Sequence, residues 1–186
     1  MKELLRQLES RDKPIKLAAS KKLRDLCAQS PESLYRYFDV FATLLEHENN
    51  VIRWNAILAI GYLAPADRDG RIDALLDRYL APIRGPVMIT AANTIKGATL
   101  IARAKPTLAR TIARGIVRAE NGTYATPECR NVAIGHALEA LGKIGGGAEV
   151  KRFAARHLDN PRPATAKKAA RLLASLESAS KSRSRS

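Results

Sequence analysis

Between Arg78 and Arg118 the chain carries eight basic residues and no acidic one. Three of them, Arg110, Arg114 and Arg118, recur every fourth residue, which places their side chains in one row along a helix. Like charges at that spacing repel by about a few tenths of a kcal/mol per pair, so the row favours a bound anion such as a phosphate. The other reactive residue types do not assemble. His47, His136 and His157 lie far apart, with no paired spacing on one helix, and no metal site is expected. Cys27 and Cys129 are too few and too distant for a disulfide scaffold or a zinc motif; Cys27, beside an apolar stripe, reads as a buried thiol. The run Gly145-Gly146-Gly147 lacks the Lys-Ser/Thr and the preceding strand of a phosphate loop and reads as a helix terminator. No nucleophile sits on a strand-to-helix elbow, because no strand is expected. The reading is therefore of a chain with no catalytic residue, no metal and no cofactor.

Charge points the same way. The 186 residues carry a formal net charge of +14 and a pI near 10.2. That balance suits acidic partners: nucleic acid, an anionic membrane surface or an acidic protein. Apolar residues make up 46% of the chain, enough for a core, while aromatics are only 5%, so alanine must do much of the packing. There is neither an N-terminal apolar segment of the secretory type nor an apolar run of membrane-spanning length. A cytoplasmic, reduced protein without a membrane span is expected.

The elements that must position these residues follow from one pattern. In Asn50–Leu63 the residues Ile52, Ala56, Ile57, Ile60 and Leu63 fall on one stripe of an α-helix, with Asn49 or Asn50 as cap and Pro65 discouraging continuation. The pattern recurs. Ala56 is matched by Ala19, Ala91, Ala137 and Ala169, and Ile60 by Leu23, Ile95, Leu141 and Leu173. Leu63 is matched by Leu26, Ala98, Ile144 and Leu176, and Ile52 more weakly by Ile15, Val87, Ala133 and Thr165. Spacings of this size mark a solenoid in which each helix pair buries its apolar face by stacking on its neighbours. Between the register helices the sequence predicts outer helices through Leu4 and Leu8; through Leu34, Phe38, Phe41 and Leu45; through Ile72, Leu76 and Leu80; through Leu108, Ile112 and Ile116; and over residues 149–158. Residues 120–127 form the longest irregular connection.

The segments Ile52-Arg53-x-x-Ala56-Ile57-x-Ala59-Ile60-Gly61-x-Leu63 and Ala140-Leu141-Gly142-Lys143-Ile144 resemble the second helix of HEAT repeats. The run from Leu4 to Lys16 resembles that family's first helix and turn. The resemblance implies an all-α fold, a right-handed α-α superhelix of the HEAT/ARM type with about five helix pairs over residues 1–177. The Ser/Arg-rich residues 178–186 are expected to be a disordered basic tail. Some HEAT-like proteins are alkylpurine DNA glycosylases with a carboxylate and tryptophans on the concave face. Here Trp54 has the setting, but Leu58 stands one turn later and no carboxylate occurs between Asp77 and Glu120, so that activity is a remote third reading.

In such a solenoid the second helices line the concave face. Their positions away from the core are Trp54, Asn55, Leu58 and Tyr62 in the second repeat, and then Asn93, Lys96, His136, Lys143, Lys167, Lys168 and Arg171. This surface is expected to be apolar and aromatic at the second repeat and basic toward the C-terminus. The favoured function is a non-enzymatic adaptor that holds a protein segment, one of acidic character, on that face. The alternative is a nucleic-acid-binding module that uses the arginine row on phosphates without reading sequence.

Overall fold

The computed structural model describes the backbone of residues 1–183 and the side chains of residues 1–178. Among the described residues the only regular elements are helices. They fall into two compact units, Met1–Tyr79 and Leu80 onward.

The first unit holds α1 (Lys2–Leu8), α2 (Lys13–Gln29), α3 (Pro31–Leu34), α4 (Phe38–Leu44), α5 (Asn50–Leu63) and α6 (Arg71–Leu80), the last ending at the boundary. Helix α5 starts where the Asn49 carboxamide oxygen accepts the Val51 and Ile52 N–H groups, at 3.0 and 3.4 Å. It then buries Ile52, every residue from Asn55 to Gly61, and Leu63. Helices α2 and α4 pack most extensively against it. The outer helix read over Leu34 to Leu45 is broken into α3, a 3-10 turn at Tyr35–Tyr37 and α4, yet Leu34, Phe38, Phe41 and Leu45 are all buried.

The connection at residues 67–70 is polar but not idle. Asp67 is only 7% exposed. Its carboxylate accepts the Tyr35 hydroxyl at 2.7 Å and the N–H groups of Arg71 and Ile72 at 2.9 and 3.3 Å. One side chain thus starts α6 and ties it to the preceding outer helix. The Arg71 guanidinium lies 4.7 Å from the centre of the Phe38 ring and pairs with Asp39.

The second unit holds α7 (Met88–Ala104), α8 (Ala109–Val117), α9 (Pro127–Ile144), α10 (Ala148–Arg156) and α11 (Pro163–Arg183). Helix α7 packs on α9 and α9 on α11, with α8 and α10 as the outer partners. The register alanines Ala91, Ala137 and Ala169 are all fully buried, which is what lets these helices approach closely. The long connection folds back on residues 83–85: Thr123 N–H donates to the Arg84 carbonyl at 2.9 Å, and the buried Tyr124 hydroxyl donates to the Ile83 carbonyl. Gly85 sits at φ 93°, and a Cβ there would lie 2.1 Å from the Thr123 carbonyl oxygen, so no other residue fits without moving backbone. Gly145, at φ 82°, ends α9 with its N–H donating to the Leu141 carbonyl at 2.9 Å.

Two expectations need correction. Ile15 is 43% exposed rather than inward, because the seven-residue α1 buries none of its own residues and leaves the first turn of α2 uncovered. Val87 precedes α7 as its N-cap residue and is 36% exposed, so the register contact at that position is absent. Helix α11 is described as far as Arg183. The expected disordered tail falls mostly on residues 179–186, whose side chains lie outside the described residues, as do residues 184–186 entirely.

Candidate functional site

The register helices differ in what their remaining faces do. On α5 the outward positions are largely filled. Asn55 is 6% exposed: its Nδ2 donates to Ser20 Oγ at 2.9 Å and its Oδ1 accepts from Arg24 at 2.9 Å, so it bridges to α2. Leu58 is also 6% exposed. Both were expected on a free binding surface; both are instead covered, Asn55 by its hydrogen bonds to α2 and Leu58 as an apolar side chain that gains from leaving water. Trp54 and Tyr62 are half-buried, and Trp54 is engaged in a contact of its own.

In the second unit the outward positions stay open and converge. Asn93, Lys96, Leu100 and Arg103 recur at three- and four-residue steps on one face of α7. His136, Glu139, Ala140 and Lys143 do the same on α9. Where the two helices pack they enclose a cavity of about 460 Å³ lined by both sets. Its floor is apolar, from Ile95, Leu100 and Ala140, and its rim carries Lys96, Arg103 and Lys143 against one carboxylate, Glu139. Four residues chosen from sequence, Asn93, Lys96, His136 and Lys143, therefore share one site.

Electrostatics organise the rim. Glu139 accepts from Lys143 Nζ at 2.9 Å and from Lys168 Nζ at 3.0 Å, which joins α9 to α11. Those two hydrogen bonds hold its carboxyl down at about 2. His136 is displaced below the ordinary imidazole value, first by burial and then by the nearby Lys168 and Arg162. The displacement favours the neutral, hydrogen-bonding ring over a fourth cation. Asn93 Nδ2 donates back to the Ile89 carbonyl at 2.9 Å, which fixes the carboxamide along the helix. Lys167 and Arg171 are exposed on α11.

Arg103 and Glu139 were not picked from sequence. Arg103 lies seven residues after Lys96, so extending the α7 face by two turns finds it; Glu139 is legible as the first member of an i,i+4 pair with Lys143. Of the arginine row, Arg110 and Arg114 line a second cavity, between α8 and α10, whereas Arg118 does not. Cys27 is fully buried and its thiol is pushed up to about 12 by burial, as expected of an inert packing residue. No group of histidine, cysteine and acidic side chains among the described residues is placed to hold a metal ion, and no described helix is long and apolar enough to cross a membrane.

These features define an all-α protein in which inner helices sharing one register pack on one another, with outer helices as partners. A crystallised engineered protein from the Northeast Structural Genomics Consortium superposes with a TM-score of 0.59 at 18% identity, over 94% of this chain and 78% of that one. A designed armadillo repeat protein aligns at 14% identity over 94% of this chain and 98% of its own, with a TM-score of 0.43. The first likeness shows the fold; the second is too distant to add to it. No family model and no curated protein matches the sequence.

Proposed function

We propose that the chain is a non-enzymatic adaptor, working in the cytoplasm, that holds an acidic protein segment in the groove between α7 and α9. The observation that carries this reading is the α7–α9 cavity, with an apolar floor and a rim of Lys96, Arg103 and Lys143 around a single carboxylate. An apolar floor takes a side chain from the segment, and the rim takes the flanking carboxylates and excludes basic competitors. His136 and Asn93 supply hydrogen-bonding groups beside them.

The test is a fluorescence-anisotropy titration of an acidic, leucine-containing peptide against the wild type and Lys96→Glu, Arg103→Glu and Lys143→Glu variants. Each reversal is expected to weaken binding roughly tenfold, in line with a cost of several kcal/mol at most for like-charge juxtaposition. Labelled duplex DNA is the competing ligand. If duplex binds more tightly than the peptide, and its log affinity falls against log salt with a share of about −2.7 removed by glutamine at Arg110, Arg114 and Arg118, the nucleic-acid reading replaces this one.

A further inference from the structure

The arginine row does not stay a row. Arg110 and Arg114, on α8, line a cavity of about 510 Å³ that is also bounded by the glycine turn at residues 145–147 and the start of α10. Arg118, next in the series, is exposed elsewhere, and its place at the cavity is taken by Arg152, one turn into α10. Three arginines from two helices thus line one concavity. The single opposing carboxylate is Glu149, whose Oε2 lies 3.7 Å from Arg114 Nε, a long pair with both partners about half exposed. Arg110 and Arg152 have no ion pair among the described residues. Three cations against one anion leave two positive charges unmatched at the cavity.

We infer that this cavity is a binding site for a phosphate dianion, and the test distinguishes a phosphoserine peptide from free phosphate as its source. Two unmatched positive charges suit a dianion, and guanidinium forks bind phosphate oxygens bidentately. A nucleic-acid backbone is a line of monoanionic diesters, which a straight row would track; here the row is broken and replaced by a cluster. The glycine turn contributes no side-chain bulk, so the cavity stays open on that wall. The first turn of α10, whose N-cap Gly147 offers no side-chain acceptor, adds N–H groups to the wall but is not what makes the site. The site is separate from the α7–α9 groove and does not depend on it.

The experiment uses the full chain and three probes: a phosphoserine peptide, the same peptide with plain serine, and inorganic phosphate as competitor. Binding is read by isothermal titration at pH 7.5. The phosphoserine peptide should bind at least tenfold more tightly than its serine form. Arg110→Gln and Arg152→Gln should each weaken it by about tenfold, Arg118→Gln by less than twofold, and Glu149→Gln should tighten it. Lys96→Glu and Lys143→Glu in the other groove should leave it unchanged, which separates failure of this site from failure of the adaptor groove. Lowering the pH below the second phosphate ionisation, about 6, should weaken binding as the dianion takes up a proton. Inorganic phosphate binding as tightly as the peptide would support the pocket, with a free anion as its source. Equal affinity for the two peptides would overturn the inference, and so would an equal loss from Arg110→Gln and Arg118→Gln or tighter binding of duplex DNA than of phosphopeptide.

Discussion

Helices α5 and α7 carry the same register, with Ala56 and Ala91 both buried and Ile60 and Ile95 both in the core, yet they end in opposite conditions. On α5 the run from Asn55 to Gly61 is buried without a break, and even the Asn55 carboxamide is enclosed in a hydrogen-bonded network with Ser20 and Arg24. Along α7 one face is left uncovered and basic, and with α9 it frames a cavity. The repeat therefore sets which residues point at the neighbouring helix and says little about the rest of the perimeter. That is decided by the polarity of the intervening positions. Ile57, Leu58 and Ala59 gain free energy from cover, by roughly 25 cal/mol per Å² of apolar surface, whereas Lys96 and Arg103 would lose their hydration under it.

The contrast is broken most forcefully in the core. Ile60→Ala should lower unfolding free energy by about 2–5 kcal/mol, since the side chain is wholly buried and the site cannot easily collapse. Lys96→Ala, on the open face, should stay within about 0.5 kcal/mol of wild type. Urea unfolding followed by circular dichroism measures both, and equal midpoints would show that α5 is not the more sealed helix. Gly85→Ala is expected to match the core truncation in size, because its Cβ would strike the Thr123 carbonyl and its φ is positive.

A middle-sized effect tests the polar bridge on α5. Asn55→Ala removes the acceptor for Arg24 and the donor to Ser20, and a buried hydrogen-bonding group left unsatisfied costs about 1–3 kcal/mol. Ser20 Oγ keeps its bond to the Leu17 carbonyl at 2.8 Å, so the loss should fall toward the lower end. A variant as stable as wild type, but weaker toward an acidic peptide, would return Asn55 to the binding face.

The helical class, the alanine register and most outer helices were legible because they depend on periodicity, which sequence carries directly. Leu34, Phe38, Phe41, Leu45, Ile112 and Ile116 are all buried as their spacing implied. The site was legible only in part, and the reason is geometric. Position on a helix face can be read from spacing, but the extent of cover cannot: Leu58 and Lys96 are both outward in the register, yet Leu58 is buried and Lys96 is open. The connections were the least readable. Nothing local in sequence pairs Asp67 with Tyr35, or places Thr123 and Tyr124 against residues 83–85, since these are contacts between segments more than thirty residues apart. Arg152 belongs to the same class, joining Arg110 and Arg114 only through the packing of α10 on α8.

The smallest expected effect is a pH dependence seated in the second unit. His136 and His157 both lie below the ordinary imidazole value, in each case chiefly through burial. His157 packs edge-on against Phe153, and its Nε2 is 3.4 Å from the Glu120 carboxylate, which Arg156 also holds. Glu120 pulls the imidazole back up and Arg156 pushes it down, but desolvation outweighs them. For a group whose folded value is depressed, the unfolded chain binds the proton more readily, so stability rises with pH through the window. The contribution is therefore whole above about 6.5 and is lost as pH falls below it. Glu139 adds a second limb: with its carboxyl held at about 2, its contribution is lost as pH drops from the ordinary carboxylate range toward that value. Thermal unfolding should accordingly shift to lower temperature between pH 7 and pH 5, and again below pH 4.5. His157→Gln should flatten the first limb while leaving the second, and Glu139→Gln should do the reverse. A melting temperature that holds constant or rises as pH falls from 7 to 5 would mean that neither histidine is kept neutral by the fold, and His136 would then count as a cation of the α7–α9 rim.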